Sequence, residues 1–261
     1  MNPALPHASS TTTHKLSLGL ALIVFIVAAS LPYSWLIEHF GYDDILREPT
    51  AVILKNFHAG GAPLVFAWFG FAMSALLFIP VALATDRLLA AHGTASRGAV
   101  VLGVASATAQ AIGLLRWVLV VPALAAGYAD PAASVATRDA IAVVFDAVHH
   151  YGGMVIGEMV GQLLLAGWTA LVTVQLYRSR TVPCWIAVAG ALTLPLWLIG
   201  QTELLHLVVP AVPSIEVIPL AFMAWEAWLL VLGVALLVGA WREHRMATRS
   251  HHGLVSQDVP V

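Results

Sequence analysis

The residues that could do chemistry stand out because their surroundings are apolar. Arg116, His149, His150, Glu158, Gln162, Gln201, Glu203, His206 and Glu226 all fall within or at the edge of long hydrophobic runs. An ionisable group in a hydrocarbon layer costs several kcal/mol unless it is paired or wetted, so each is a functional candidate. Glu158, Glu203 or Glu226 can serve as a general acid and His150 as a proton shuttle. Arg116 can hold an anionic head group or a developing charge.

Spacing adds detail. His150, Met154, Glu158 and Gln162 recur every four residues, which places them in one drifting stripe of a helix. Gly153, Gly157 and Gly161 run beside it as a double small-xxx-small pattern, which lets a neighbouring backbone approach closely or seats a partner helix. Glu203 and His206 share a face at i, i+3. Glu-x-x-His occurs in di-metal bundles, but there on two helices. Here it occurs once, so no metal is expected, and no motif asks for a cofactor. Each candidate also has a plain reading. Arg116 and Glu158 can form a buried ion pair, a weak indication of function. Glu226 can hydrogen-bond as a neutral acid, and His149, His150 and His58 can sit solvated at an interface. Trp35, Trp168, Trp225, Trp228 and Trp241 read as belt or core residues.

The elements that must position these groups are membrane helices. Of the 261 residues, 60% are hydrophobic and 10% charged, against about 25% charged in a soluble domain. A span needs about 20 apolar residues. Six segments qualify, at 16–37, 61–84, 98–126, 147–177, 183–209 and 216–241. They define an all-α integral membrane domain over 16–241, between polar tails at 1–15 and 242–261, the second expected to be disordered beyond Arg245. The first run is too long for a signal h-region and reads as an uncleaved span. Cys184 is the only cysteine and reads as a packing residue, so no intrachain disulfide is available. A net charge of −2 with no basic run gives no footprint for nucleic acid.

Alternating spans put Lys15, Arg87, Arg97, Arg178, Arg180, Arg242, Arg245 and Arg249 on one side and only Arg47, Lys55 and Arg138 on the other. The bias predicts cytoplasmic termini. It also puts the polar groups of spans three, four and five in the outer half of the bilayer, with Glu226 near the middle. The outer connection 38–60 reads as an amphipathic helix on the membrane surface or capping the bundle. The other, 127–146, reads as a second cap or an extension of span four.

The Leu-Leu-Arg-Trp around Arg116 and the His-Tyr-Gly…Gly-Glu…Gly-Gln run around Glu158 resemble a family of bacterial multi-pass membrane proteins catalogued only as a domain of unknown function. The likeness covers most of 16–240 and implies a bacterial inner-membrane protein of about six helices, with no stated reaction. Three functions remain in play. The first is binding or transport of a small or amphiphilic molecule in an outer polar pocket. Active transport lacks the usual inverted repeat. The second is an intramembrane enzyme acting on a lipid or isoprenoid through a carboxylate, although G-x-S-x-G, H-E-x-x-H and acidic diphosphate motifs are missing. The third is a non-catalytic subunit that docks through its glycine stripe.

Overall fold

The computed structural model describes residues 10–42, 44–89 and 95–255. It is 88% helical, with no strand among the described residues. Six helices are long and apolar enough to cross a membrane: Ser10–Phe40, Thr50–Leu89, Arg97–Ala129, Val135–Ser179, Cys184–His206 and Ile218–Thr248. The chain is therefore an all-α bundle of six membrane-compatible helices.

Prolines segment the spans. The second is α2 (Thr50–Leu76) and α3 (Phe78–Leu89), divided at Leu77 just ahead of Pro80. The third is α4 (Ala95–Leu119) and α5 (Val121–Ala129), divided at Val120 ahead of Pro122. The fifth is α8 (Cys184–Ala191) and α9 (Leu194–His206), divided ahead of Pro195. Proline lacks an N–H, and its ring displaces the carbonyl four residues back, so a break falls just before it. The first span, α1 (Ser10–Phe40), keeps Pro32 within an unbroken helix.

The fourth span has another construction. α6 (Val135–Val148) leads into a π-helical segment, His149–Val160, and then α7 (Gly161–Ser179). Ser134 starts it by accepting the Thr137 N–H at 3.1 Å. Residues 127–146 are thus mostly the extension of span four, of the two alternatives the sequence left. The 38–60 connection is a 3₁₀ turn at Asp44–Arg47 followed by the first part of α2. It caps the bundle, with Ile53, Leu54 and Phe57 buried. Gly61 then turns the chain into the span at φ 57°, ψ −152°, a region open to little but glycine. α10 (Ile218–Val255) corrects the expected disorder past Arg245, because it stays helical to Val255. Residues 1–9 and 256–261 of the two tails lie outside the described chain.

The spans form a ring in chain order: α1 packs on α2 and α3, these on α4, α4 on α7, α7 on α8 and α9, and these on α10, which returns to α1. At the end near the termini the ring is filled. There Phe78, Trp168, Trp225 and Trp228 form the centre of one buried cluster. Two of these indoles are satisfied, Trp225 Nε1 donating to Thr169 Oγ1 at 3.0 Å and Trp228 Nε1 to the Ile186 carbonyl at 2.8 Å. A second cluster around Phe40, Trp68, Trp117 and Phe145 lies toward the opposite end. Between the two the ring is left open.

Candidate functional site

The opening is a cavity of about 80 Å³. Seven aromatic rings line it: Tyr42 of the connection before α2, Tyr33 of α1, Trp68 and Phe71 of α2, Trp117 of α4, Trp197 of α9 and Phe222 of α10. Trp68 and Trp117 are stacked with centroids 4.8 Å apart. Polar side chains in the wall are Gln110 and Arg116 of α4, Glu158 of the π segment and Gln162 of α7.

Close backbone contact fixes this geometry. A Cβ on Gly113 would lie 2.6 Å from the Cα of Gly157, one on Gly161 would lie 2.7 Å from Gln110 Cγ, and one on Gly153 would meet the Arg116 guanidinium. The glycine stripe therefore faces α4 of the same chain. Its close neighbours are Gly113, Gln110 and Arg116 of that helix.

The π winding decides which residues of span four look inward. At 3.6 residues per turn His149 and Glu158 would point to opposite sides. A π-helix has about 4.4 residues per turn, and the nine-residue separation then closes two turns. His149, Gly153, Glu158 and Gln162 share the inner face. His150 leaves it. The expected stripe through His150 is thereby corrected: that residue is exposed and its Nδ1 donates to the Asp146 carbonyl at 2.7 Å. His149 is buried and donates from Nε2 to the Leu46 carbonyl at 3.1 Å, tying the 41–49 connection to span four.

Arg116 is 7% exposed. Its Nη1 donates to the Gly113 carbonyl, and its Nε is buried without a partner. Among the described residues no carboxylate lies within ion-pairing distance of it. The ion pair with Glu158 that the sequence left open is thus not formed. Glu158 is held instead by Arg47, whose Nη2 donates to it at 3.0 Å while its Nε donates to Glu203 at 2.7 Å. Burial pulls the Arg47 pKa down, but the two carboxylates outweigh it and hold the group above its ordinary value. Arg47 therefore stays charged at every pH the fold meets.

Arg47 lies in a cleft of about 270 Å³ with Asp44, Glu203 and Glu216, and this cleft shares Tyr42, Leu46, Glu158, Gln162, Ile218 and Pro219 with the cavity wall. The sequence reading missed Arg47, since Asp44-Ile45-Leu46-Arg47-Glu48 looks like a solvated turn. The signal was a mismatch: Glu158 and Glu203 both needed a cation, and the spans offered only Arg116.

The remaining candidates scatter. Gln201 lies behind the wall, donating to Gln162 at 2.8 Å. His206 donates to the Val212 carbonyl at 2.7 Å and braces the 207–217 connection. Glu226 accepts from Ser30 at 3.3 Å where α1 meets α10, outside the cavity wall. His58 is exposed. Among the described residues no three His, Cys, Asp or Glu side chains are gathered as metal ligands.

Fold and cavity together define a class, a helical membrane bundle of six membrane-compatible spans with one open end. The chain belongs to the family described as Domain of unknown function (DUF4386), whose model matches residues 17–238. No curated protein and no solved structure matches it.

Proposed function

We propose that this chain is a bacterial inner-membrane protein that binds a small or amphiphilic molecule in the cavity beside Arg116, with both termini in the cytoplasm and the cleft facing outward. The observation that carries the reading is Arg116 itself: a buried guanidinium beside aromatic rings, with no carboxylate of the described residues in ion-pairing range. A buried cation left in that state is destabilising, and a ligand supplies what the protein does not. Apolar walls with a few convergent polar groups are what small-molecule sites are made of. The enzymatic alternative draws less support. Glu158 and Glu203 are engaged by Arg47, and Glu226 and His150 lie elsewhere.

The test is native mass spectrometry of the full chain released from gentle detergent. The wild-type protein should carry a bound mass that Arg116→Leu, still folded by circular dichroism, has lost. A wild type that is bare in every preparation and shows no thermal shift across a small-molecule library would sink the proposal.

A further inference from the structure

A second concave surface lies on the outside of the bundle, at the end near the termini. There α8 is held from behind by α10: Trp228 Nε1 donates to the Ile186 carbonyl at 2.8 Å, and a Cβ on Gly190 would lie 2.3 Å from the Trp228 ring. Small residues then leave space between α8 and α7. A groove of about 190 Å³ runs between residues 173–178 of α7 and 187–191 of α8. Ala187 and Ala191 form one side, and the exposed Val174 and Tyr177 the other. Thr173 turns its hydroxyl onto its own helix, Oγ1 donating to the Ala170 carbonyl at 3.0 Å, so the depth of the groove is apolar.

The mouth is cationic. Arg178 lines it, and Arg180 follows at the end of α7. Arg180 has a φ of 54°, a left-handed conformation that helix ends usually give to glycine. Its guanidinium lies over the Tyr177 ring, 4.9 Å from the centroid, with Nη1 against Cys184 Sγ. Among the described residues no carboxylate is within ion-pairing range of Arg178 or Arg180. Tyr177 and Trp185 are exposed here, and in a bilayer such rings sit at the level of the headgroups. From Tyr177 back to Thr173 the helix rises about 6 Å, which takes the floor of the groove into the hydrocarbon.

Two cations above an apolar groove complement an amphiphile with an anionic head. A partner helix, about 10–12 Å across, would find little more than one turn of α7 to pack on. An acyl chain is far narrower and needs no more than this. We infer that an anionic phospholipid seats its phosphate between Arg178 and Arg180 and lays the first part of one acyl chain in the groove between α7 and α8, in the leaflet on the side of the termini. The site is separate from the cavity beside Arg116 and does not rest on it. Arginines in a last turn also complement the helix dipole. That role alone stabilises α7 and carries no preference among lipids.

Native mass spectrometry reads this directly, on the full chain in detergent mixed with equal amounts of dioleoyl phosphatidylglycerol and dioleoyl phosphatidylethanolamine. An arginine near an anionic headgroup strengthens attachment about fivefold, so the wild type should retain phosphatidylglycerol about tenfold or more over phosphatidylethanolamine. Arg178→Gln with Arg180→Gln should erase that preference. Ala191→Trp keeps both charges, fills the groove and should weaken retention by about three- to tenfold. Arg87→Gln with Arg97→Gln removes two exposed arginines from the same end and should change nothing. If the Arg178 and Arg180 pair fails to fold by circular dichroism, Ala191→Trp decides alone. Equal retention of the two lipids by the wild type, an equal loss in the Arg87 and Arg97 control, or undiminished retention by Ala191→Trp overturns the site. So does a dimer of the chain that Ala191→Trp abolishes, which would make the groove a protein interface. Arg116→Leu should keep its phosphatidylglycerol, and loss of that lipid in this variant would move it to the cavity and overturn the groove.

Discussion

At the scale of single residues, two contacts carry most of the site's shape. Gly113 and Gly157 bring α4 against the π segment so closely that a methyl on Gly113 would lie 2.6 Å from backbone. Gly113→Ala should destabilise the protein by about 1–3 kcal/mol, the range for overpacking a close-packed contact. Gly152→Ala, with no atom within 4 Å of the added carbon, should leave stability unchanged or slightly raised. Thermal unfolding of both variants in one detergent checks the pair, and equal melting temperatures would show that the close approach matters little. The second contact is Arg47. Its side chain is 29% exposed and those of Glu158 and Glu203 are 20% and 14% exposed, between a surface bridge and a buried one. Arg47→Gln leaves two carboxylates facing each other and should cost about 1–3 kcal/mol. Adding Glu158→Gln and Glu203→Gln should recover most of that loss, because the repulsion goes with the charges. No recovery in the triple variant would mean that Arg47 acts by packing instead. This residue was hidden in the sequence because neutralisation across 111 and 156 residues leaves no local pattern.

At the scale of elements, the six spans were legible because hydrocarbon thickness imposes a length that apolar runs reveal. Their internal breaks at Leu77 and Val120 were foreshadowed by Pro80 and Pro122. The π segment was not legible. Its sequence, His-His-Tyr-Gly-Gly-Met-Val-Ile-Gly-Glu, fits an α-helical stripe through His150 as readily as a π face through His149. The choice is made by tertiary contact, with Gly157 against Gly113 on one side and His149 bonded to Leu46 on the other. The corner at Gly61 lies between these cases. A Gly-Gly-Ala-Pro sequence announces a break, while its φ of 57° with ψ of −152° shows why glycine is required. Gly61→Ala should cost about 1–3 kcal/mol in backbone strain. The loss should be local: hydrogen exchange should quicken over Thr50–Gly60, whose Ile53, Leu54 and Phe57 cap the aromatic cluster, and remain slow in α7. Uniform exchange across both segments would argue that the corner holds the whole bundle rather than its cap.

At the scale of the molecule, the question is which way the open end faces. The ring is filled with Trp168, Trp225 and Trp228 toward the termini, where Lys15 of α1 also pairs with Glu243 of α10. The cavity and its acidic cleft lie at the other end, among the 41–49 and 207–217 connections. Lys and Arg are distributed eight to three in favour of the terminal end, counting Lys15, Arg87, Arg97, Arg178, Arg180, Arg242, Arg245 and Arg249 against Arg47, Lys55 and Arg138. Because short loops rich in Lys and Arg stay in the cytoplasm, the open end is expected on the outside. The chain carries its own reporter for this. Cys184, its only cysteine, begins α8 at the terminal end, close after Arg178 and Arg180. In intact spheroplasts a membrane-impermeant maleimide should leave Cys184 unlabelled until the membrane is opened with detergent. In a Cys184→Ser background, Ser134→Cys at the start of α6 should label at once. The reverse pattern would place the cleft in the cytoplasm, and its ligand would then have to come from the cell interior or from the inner leaflet.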